Sequence, residues 1–278
     1  MWGLIPAAGA GSRIQPLAFS KELLPLGTRQ ENGRERPRAV SEYLIERMLL
    51  AGVDKLCFVI SPGKTDILQY YGNRVEGADV CYVVQPEPAG LCDALFRAAF
   101  LAAGDSAQDW IVGLPDTLWF PEDALAALPG APLSFLLFPV QNPELFDAVL
   151  TDDCGNVQRV DVKQSRAATS WVWGAFRVQG AAFQDLFQIW RGREPRDEYW
   201  GTLVNAWLRE GGSARAVKTG EVYIDIGTVR GYREGLQTIA RYSENKIHEN
   251  HVYNTFLESG LEPEPDRAAG AGPGPMVP

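Results

Sequence analysis

Three observations predict an α/β fold with a mixed, mostly parallel central sheet flanked by helices. Short apolar runs alternate with helix-length amphipathic segments through the first half of the chain, and such alternation implies βαβ crossovers. Beyond Pro132 the pattern changes to strands in close succession, which adds a β-rich extension to the parallel core. The 278 residues are 46% apolar and 22% charged, a composition that buries a sizeable core.

The elements follow in order. Trp2–Pro6 is a strand, ended by the small-residue loop Ala7–Ser12. The apolar start of the chain lacks a positive leading segment and runs into Arg13, so it reads as a buried first strand and not as a signal peptide. Tyr43–Ala51 is a helix with Leu44 and Met48 on one face and Gly52 as its stop. Leu56–Ile60 is a buried strand, Thr65–Tyr71 a short helix stopped by Gly72, and Val80–Val84 another strand. Leu91–Ala103 is a helix closed by Gly104, and Trp110–Leu114 a strand leading to Pro115-Asp116. Strands are then expected at Leu133–Pro139, Phe146–Leu150, Val157–Val162 and Trp171–Val178. Helices return at Ala182–Trp190, Trp200–Glu210 and Gly231–Tyr242. The Pro- and Gly-rich stretch Ser259–Pro278 has no apolar periodicity and reads as a flexible tail.

Charge and cysteines exclude whole classes of function. With 26 Lys plus Arg against 35 Asp plus Glu, the net charge is −9. No basic stripe is present, so neither nucleic acid nor an anionic membrane is an expected partner. A small anionic ligand needs only a few placed cations and is not excluded. No apolar run reaches the roughly 18 residues of a membrane helix. The spacing of Cys57, Cys81, Cys92 and Cys154 fits neither a metal knuckle nor a redox pair, and reads as reduced, mostly buried thiols of a cytoplasmic protein.

Several motif matches fail on their own chemistry. Gly63-Lys64-Thr65 follows a strand as a P-loop ends, but Phe58 stands where that loop needs its first glycine, so it reads as a plain turn and helix start. Gly9-Ala10-Gly11 begins a dinucleotide fingerprint, but Ile14 occupies the third glycine position. His248 and His251 lack a third metal ligand nearby, and no Ser or Cys has a placed histidine partner. What remains is the loop after the first strand. Its six small residues let backbone N–H groups approach a phosphate, Arg13 can clamp phosphate oxygens bidentately, and Lys21 adds a mobile charge.

Gly9-Ala10-Gly11-Ser12-Arg13, Pro16 and Lys21-Glu22-Leu23-Leu24-Pro25 together resemble the signature loop of the sugar-1-phosphate nucleotidylyltransferases. The look is nearest to the glucose-1-phosphate thymidylyltransferases and the UTP–glucose-1-phosphate uridylyltransferases. Arg36-Pro37, Gln85-Pro86-Glu87-Pro88-Ala89-Gly90-Leu91, Leu114-Pro115-Asp116, Val160-Asp161-Val162-Lys163 and Tyr223-Ile224-Asp225-Ile226-Gly227-Thr228 are similar to further family segments, in register up to about Tyr242. The resemblance implies a Rossmann-like fold of the nucleotide-diphospho-sugar transferase type. It implies one domain over residues 1–258, with 1–131 mainly nucleotide-binding, 132–230 mainly sugar-binding and 231–258 a C-terminal helical part.

The resemblance also implies an activity: Mg²⁺-dependent transfer of a nucleotidyl group from dTTP or UTP to a sugar 1-phosphate. Ala8, Gly9, Ala10, Gly11 and Ser12 would hold the triphosphate, with Gln85 and Gly90 reading the base. A Gln amide can donate and accept toward the imide edge of uracil or thymine, which favours a pyrimidine. Arg13, Lys21 and Asp116 would be catalytic, and Asp116 with Asp225 would hold the metal, two hard oxygen ligands that suit Mg²⁺. Lys163, Trp173 and Gly174 would face the sugar phosphate. Family members are often dimers or tetramers, so a homo-oligomer stays open.

The sugar half departs most from the pattern. Val162 stands where the family has a Glu before the Lys, Asp147 where it has a Gly, and Gly201-Thr202 where it has an Ile-Thr-Asp-like stretch. Asp161, one residue from Val162, should face the opposite side of its strand. An altered sugar substrate is one expectation, and a non-catalytic regulatory protein of the same fold is the alternative. A nucleotide-sugar-dependent glycosyltransferase has only Asp152-Asp153 behind it, and Cys154-Gly155 after them gives the profile of a hairpin turn.

Overall fold

A computed structural model describes residues 1–102 and 108–242. The chain divides into two compact units, Met1–Leu236 and Gln237–Pro278. Gly104, His248, His251 and the expected tail lie outside the described residues.

A parallel core forms the heart of the first unit. β1 (Trp2–Pro6) lies between β4 (Lys55–Ile60) and β7 (Asp109–Gly113), with β6 (Ala78–Val84) outside β4, all parallel. The short β5 (Arg74–Val75) closes that edge antiparallel. On the other flank β12 (Trp171–Gln179) runs antiparallel to β7 and to β9 (Leu133–Pro139). Beyond it lie β10 (Asp147–Thr151) and β11 (Val157–Val162), while β13 (Ala214–Val217) pairs parallel with β9. The sheet is therefore mixed, as expected, with antiparallel pairing concentrated after Pro132.

Helices cover both faces, so the central strands carry apolar residues on both sides. Leu4, Cys57 and Val59 point into one apolar cluster, and Ile5, Leu56 and Phe58 into the other. α1 (Val40–Leu50) packs Leu44 and Met48 into the second cluster, and α2 (Thr65–Tyr71) adds Ile67. α5 (Gly180–Gly192) and α6 (Trp200–Arg209) cover the first cluster with Phe183, Leu186, Trp200 and Leu203. The expected helix Leu91–Ala103 is instead broken into α3 (Gly90–Phe96) and α4 (Ala99–Ala102). A further helix occupies 229–242.

Two further ribbons complete the unit. β2 (Pro25–Glu31) and β3 (Arg34–Ala39) form a charged hairpin turned by Asn32-Gly33, both in left-handed backbone at φ 51° and 73°. That dipeptide is a strong hairpin signal, but its flanking strands are mostly exposed and lack a buried face to reveal them. β8 (Thr117–Phe120) and β14 (Val222–Asp225) pair antiparallel as a separate two-stranded sheet. The cysteines are all free, with Cys57 and Cys92 buried; Cys154 departs from expectation in being exposed. Among the described residues no helix is long and apolar enough to cross a membrane.

Candidate active site

The site begins where β1 ends. The Ala7 N–H donates to Val59 O at 2.7 Å, which holds the chain in the sheet before it turns. Ala7 and Ala8 are buried, Gly9 and Ala10 emerge, and the turn closes through Ile14 N–H and Gln15 N–H on Gly11 O. Among the described residues, the N–H groups of Gly9 through Arg13 donate to no backbone acceptor. An exposed run of undonated N–H groups at the carboxyl edge of a parallel sheet suits an anion. Gly11 needs its φ of +67°, and a Cβ there would lie 3.0 Å from the Lys21 stem. The glycine therefore lets the lysine cross close beneath the loop.

Asp116 and Asp225 meet because β8 and β14 pair. Asp225 stands opposite Thr117, the residue after Asp116, and Ile226 N–H donates to Asp116 O at 2.9 Å. Gly227 N–H donates to Asp225 Oδ1 at 2.9 Å. A Cβ built on Gly227 would lie 2.8 Å from Asp116 Oδ2 and 2.9 Å from Asp225 Oδ1, so the two carboxylates converge on this glycine.

Each carboxylate carries a cation from the loop side. Lys21 Nζ donates to Asp116 Oδ2 at 2.5 Å, and Arg13 Nη1 to Asp225 Oδ2 at 2.6 Å. The first pair is mostly enclosed, whereas the Arg13 side chain is 61% exposed. Burial acts against the Lys21 ammonium, but Asp116, Glu22 and Asp225 outweigh it and hold its pKa above 10.5. Lys21 therefore stays charged across the physiological range. Two carboxylate donors beside an open, N–H-rich loop fit Mg²⁺, which takes one or two protein carboxylates and completes its shell from phosphates and water.

Gln85 and Gly90 flank the same sheet edge. Gln85 N–H donates to Ile60 O, while its side-chain Nε2 donates to Asp93 Oδ2 at 2.7 Å. Asp93 is itself gripped by Arg97 through two bonds of 3.0 Å. A carboxylate only accepts, so this pairing commits the amide N–H₂ inward and leaves the Gln85 carbonyl for a ligand. Gly90, at φ +87°, presses against the Glu198 backbone, where a Cβ would meet Glu198 Cα at 2.7 Å.

The sugar-side residues are placed unevenly. Lys163, in left-handed backbone at φ 45°, sets its ammonium 4.5 Å from the Tyr199 ring centroid. Trp173 is buried against Phe176, and Gly174 sits at a bulge beneath the Phe138 and Tyr223 rings, where a Cβ would meet carbons at 2.6 and 2.7 Å. Both lie below the surface and not at its rim. Asp147 stands directly across the ladder from Val162, and a Cβ on Gly201 would touch both. Burial raises the Asp147 pKa against the nearby Lys163 ammonium. Asp161 is turned away, as alternation requires, and binds Arg159 and the Ala168 N–H. Asp152 closes the β10–β11 turn by accepting from the Cys154 and Asn156 N–H groups.

Comparison with known proteins agrees with this architecture. Residues 2–241 match the family described as nucleotidyl transferase. Agl11 of Haloferax volcanii, a low-salt glycan biosynthesis nucleotidyltransferase, is 26% identical over 206 residues, 69% of this chain. The match spans only 54% of Agl11. The glucose-1-phosphate thymidylyltransferase of Neisseria meningitidis is 23% identical over 275 residues, covering 93% of this chain and 88% of the relative. A structure titled as a putative glucose-1-phosphate thymidylyltransferase from Bacillus anthracis superposes with a TM-score of 0.71, at 19% identity over 86% of this chain and 95% of that one. The UTP-bound UGPase of Acinetobacter baumannii gives 0.69, at 18% identity over 86% and 92%. These solved structures share the fold. The chain belongs to the nucleotidyl transferase family, which bears out the resemblance of its loop, and it is a nucleotidyltransferase.

Proposed function

We propose that the protein transfers a nucleotidyl group from UTP or dTTP to a sugar 1-phosphate, releasing pyrophosphate and an NDP-sugar, with Mg²⁺ bound by Asp116 and Asp225. The observation that carries this reading is the convergence of two carboxylates, each cation-paired, on Gly227 beside the Gly9–Arg13 loop. Relatives named for this chemistry with glucose 1-phosphate support it.

The sugar-phosphate oxygen attacks the α-phosphorus in line, the new P–O bond forms, and the bond to the β-phosphate breaks with its electrons leaving on pyrophosphate. No covalent enzyme intermediate is needed, so the chain's contribution is positioning and charge neutralisation. Ala8 to Ser12 cradle the triphosphate through N–H groups, and Arg13 releases Asp225 to clamp phosphate oxygens. Lys21 holds the other side while keeping Asp116 oriented. A bound divalent ion supplies charge neutralisation at the phosphates. Gln85, committed by Asp93, offers its carbonyl to the N3–H of uracil or thymine, with Gly90 beside it.

On the sugar side Lys163 faces the phosphate, above a floor of Trp173 and Gly174. Asp147 supplies a carboxylate from β10 where β11 carries Val162, so the preferred sugar differs from plain glucose in the hydroxyl or amine that this carboxylate meets. The site is built within one cytoplasmic chain. The test is pyrophosphate release from UTP and dTTP across a panel of sugar 1-phosphates, with Asp225→Asn as control. Turnover that Asp225→Asn abolishes supports the assignment; silence across the whole panel sinks it in favour of a binding protein.

A further inference from the structure

The most completely built polar cluster outside the loop and its carboxylates lies behind Lys21. Lys21–Leu23 is a single 3-10 turn, and Glu22 beside the lysine is 1% exposed. Both Glu22 carboxylate oxygens accept from Lys64 Nζ, at 2.7 and 2.8 Å. On the other side of the lysine, Asp66 accepts from Ser20 N–H at 2.6 Å and Ser20 Oγ at 2.7 Å. The Glu22 carbonyl takes a third support from Ser41 Oγ at 2.6 Å. The residues before and after Lys21 are thus each gripped twice, both times from the start of α2, by its N-cap residue Lys64 and by Asp66 in its first turn.

This arrangement is costly if stability is its only product. Burial raises the Glu22 pKa and lowers that of Lys64, so the surroundings disfavour both charges. Replacing a buried ion pair by apolar residues of similar volume is often neutral or stabilising. The turn already has apolar anchors in Leu24 and Leu26, both buried. What the charged cluster adds is direction. With Glu22 pulled inward, the neighbouring Lys21 faces out, crosses beneath Gly11 and reaches Asp116.

We propose that Lys64 and Asp66 are positioning residues for Lys21, acting through Glu22 and Ser20 to set the lysine against Asp116 in the phosphate site. The proposal rests on the reading of Lys21 as a phosphate ligand. Neither residue touches the substrate. The Gly63-Lys64-Thr65 segment, which lacks the glycine of a P-loop, serves the phosphate site from behind and not by cradling phosphate itself.

The discriminating variant is the double replacement Glu22→Met with Lys64→Met, which removes both buried charges while keeping volume. A purely structural pair predicts unchanged kcat. A positioning pair predicts a kcat at least about tenfold lower with the KM for the sugar 1-phosphate within about twofold and the thermal midpoint retained. Asp66→Asn, a milder change at a partly exposed site, should lower kcat severalfold in the same pattern and covers the case in which the double variant fails to fold. Lys64→Arg, which keeps a cation on Glu22, should recover most of the loss. Wild-type kcat in the folded double variant, or in Asp66→Asn, overturns the proposal. Lys21→Met is run alongside: if it leaves kcat intact, the assignment of Lys21 has failed, and the positioning role fails with it for that separate reason.

Discussion

Replacing Gly227 by Ala adds one methyl group at the point where the two carboxylates converge. The new Cβ would lie 2.8 Å from Asp116 Oδ2, 2.9 Å from Asp225 Oδ1 and 3.3 Å from Arg13 Nη2. Arg13 is exposed and can move away, but both oxygens must retreat by about half an ångström to reach ordinary contact. Metal ligands tolerate about 0.2 Å, and a misplacement of about 1 Å can cost a hundredfold in rate. The backbone at Gly227 is not left-handed, so Ala fits the conformation, and stability should change by no more than about 1 kcal/mol. That corresponds to roughly 2–4 °C in thermal midpoint for a domain of this size. Initial rates of pyrophosphate release, titrated with Mg²⁺, should show kcat down at least about tenfold and half-saturation moved to higher metal. Wild-type rates within twofold at every Mg²⁺ concentration would refute the claim that these two carboxylates act together.

Three further outcomes follow from particular contacts. Asn at position 93 can donate where Asp93 can only accept, so Asp93→Asn should let the Gln85 amide flip and reduce the kcat/KM preference for UTP or dTTP over CTP by about tenfold; an unchanged ratio would remove Gln85 from base reading. Asp147→Gly removes the carboxylate opposite Val162 and should raise kcat/KM for glucose 1-phosphate relative to the preferred sugar, and the reverse shift on the same panel would dismiss Asp147 as a specificity residue. Burial pulls the Asp66 carboxyl up, but Ser20 Oγ and N–H outweigh it and leave it below 3.8. Its contribution to stability is therefore complete above pH 3.8 and lost as pH falls through the depressed value. The gap in urea midpoint between wild type and Asp66→Asn should close on acidification; a gap that widens contradicts the sign.

Much of the framework was legible because burial leaves a periodic trace. β1, α2, β9 and β11 fall on the expected residues, since each is an apolar run with a Gly or Pro beside it or a buried face along it. The break between α3 and α4 was not legible, because Arg97-Ala98 carries no Gly or Pro to announce it. The role of Asp93 was not legible for a related reason: a helix carboxylate reads as a solvated charge until its partners, here Gln85 and Arg97, are known. Gly174 carries a packing demand that its neighbours in the sequence do not show, since a Cβ there would meet the Phe138 and Tyr223 rings at 2.6 and 2.7 Å.

The sequence by itself determined the α/β class and displayed the small-residue loop, the cations Arg13 and Lys21, and the aspartates from which the proposed phosphate site is built. Those features depend on residue type and near-neighbour spacing, which a linear chain displays directly. Only the tertiary structure decided which cation meets which carboxylate. Lys21 reaches Asp116 and Arg13 reaches Asp225 across 95 and 212 residues, while the pairing of β8 with β14 brings the two carboxylates together. It also decided that Lys64, in a motif with the wrong glycine spacing, stands behind Lys21 in a buried ion pair with Glu22. Partners separated by so many residues carry no mark of each other in the sequence, because electrostatic and hydrogen-bond contacts are set by distance in space.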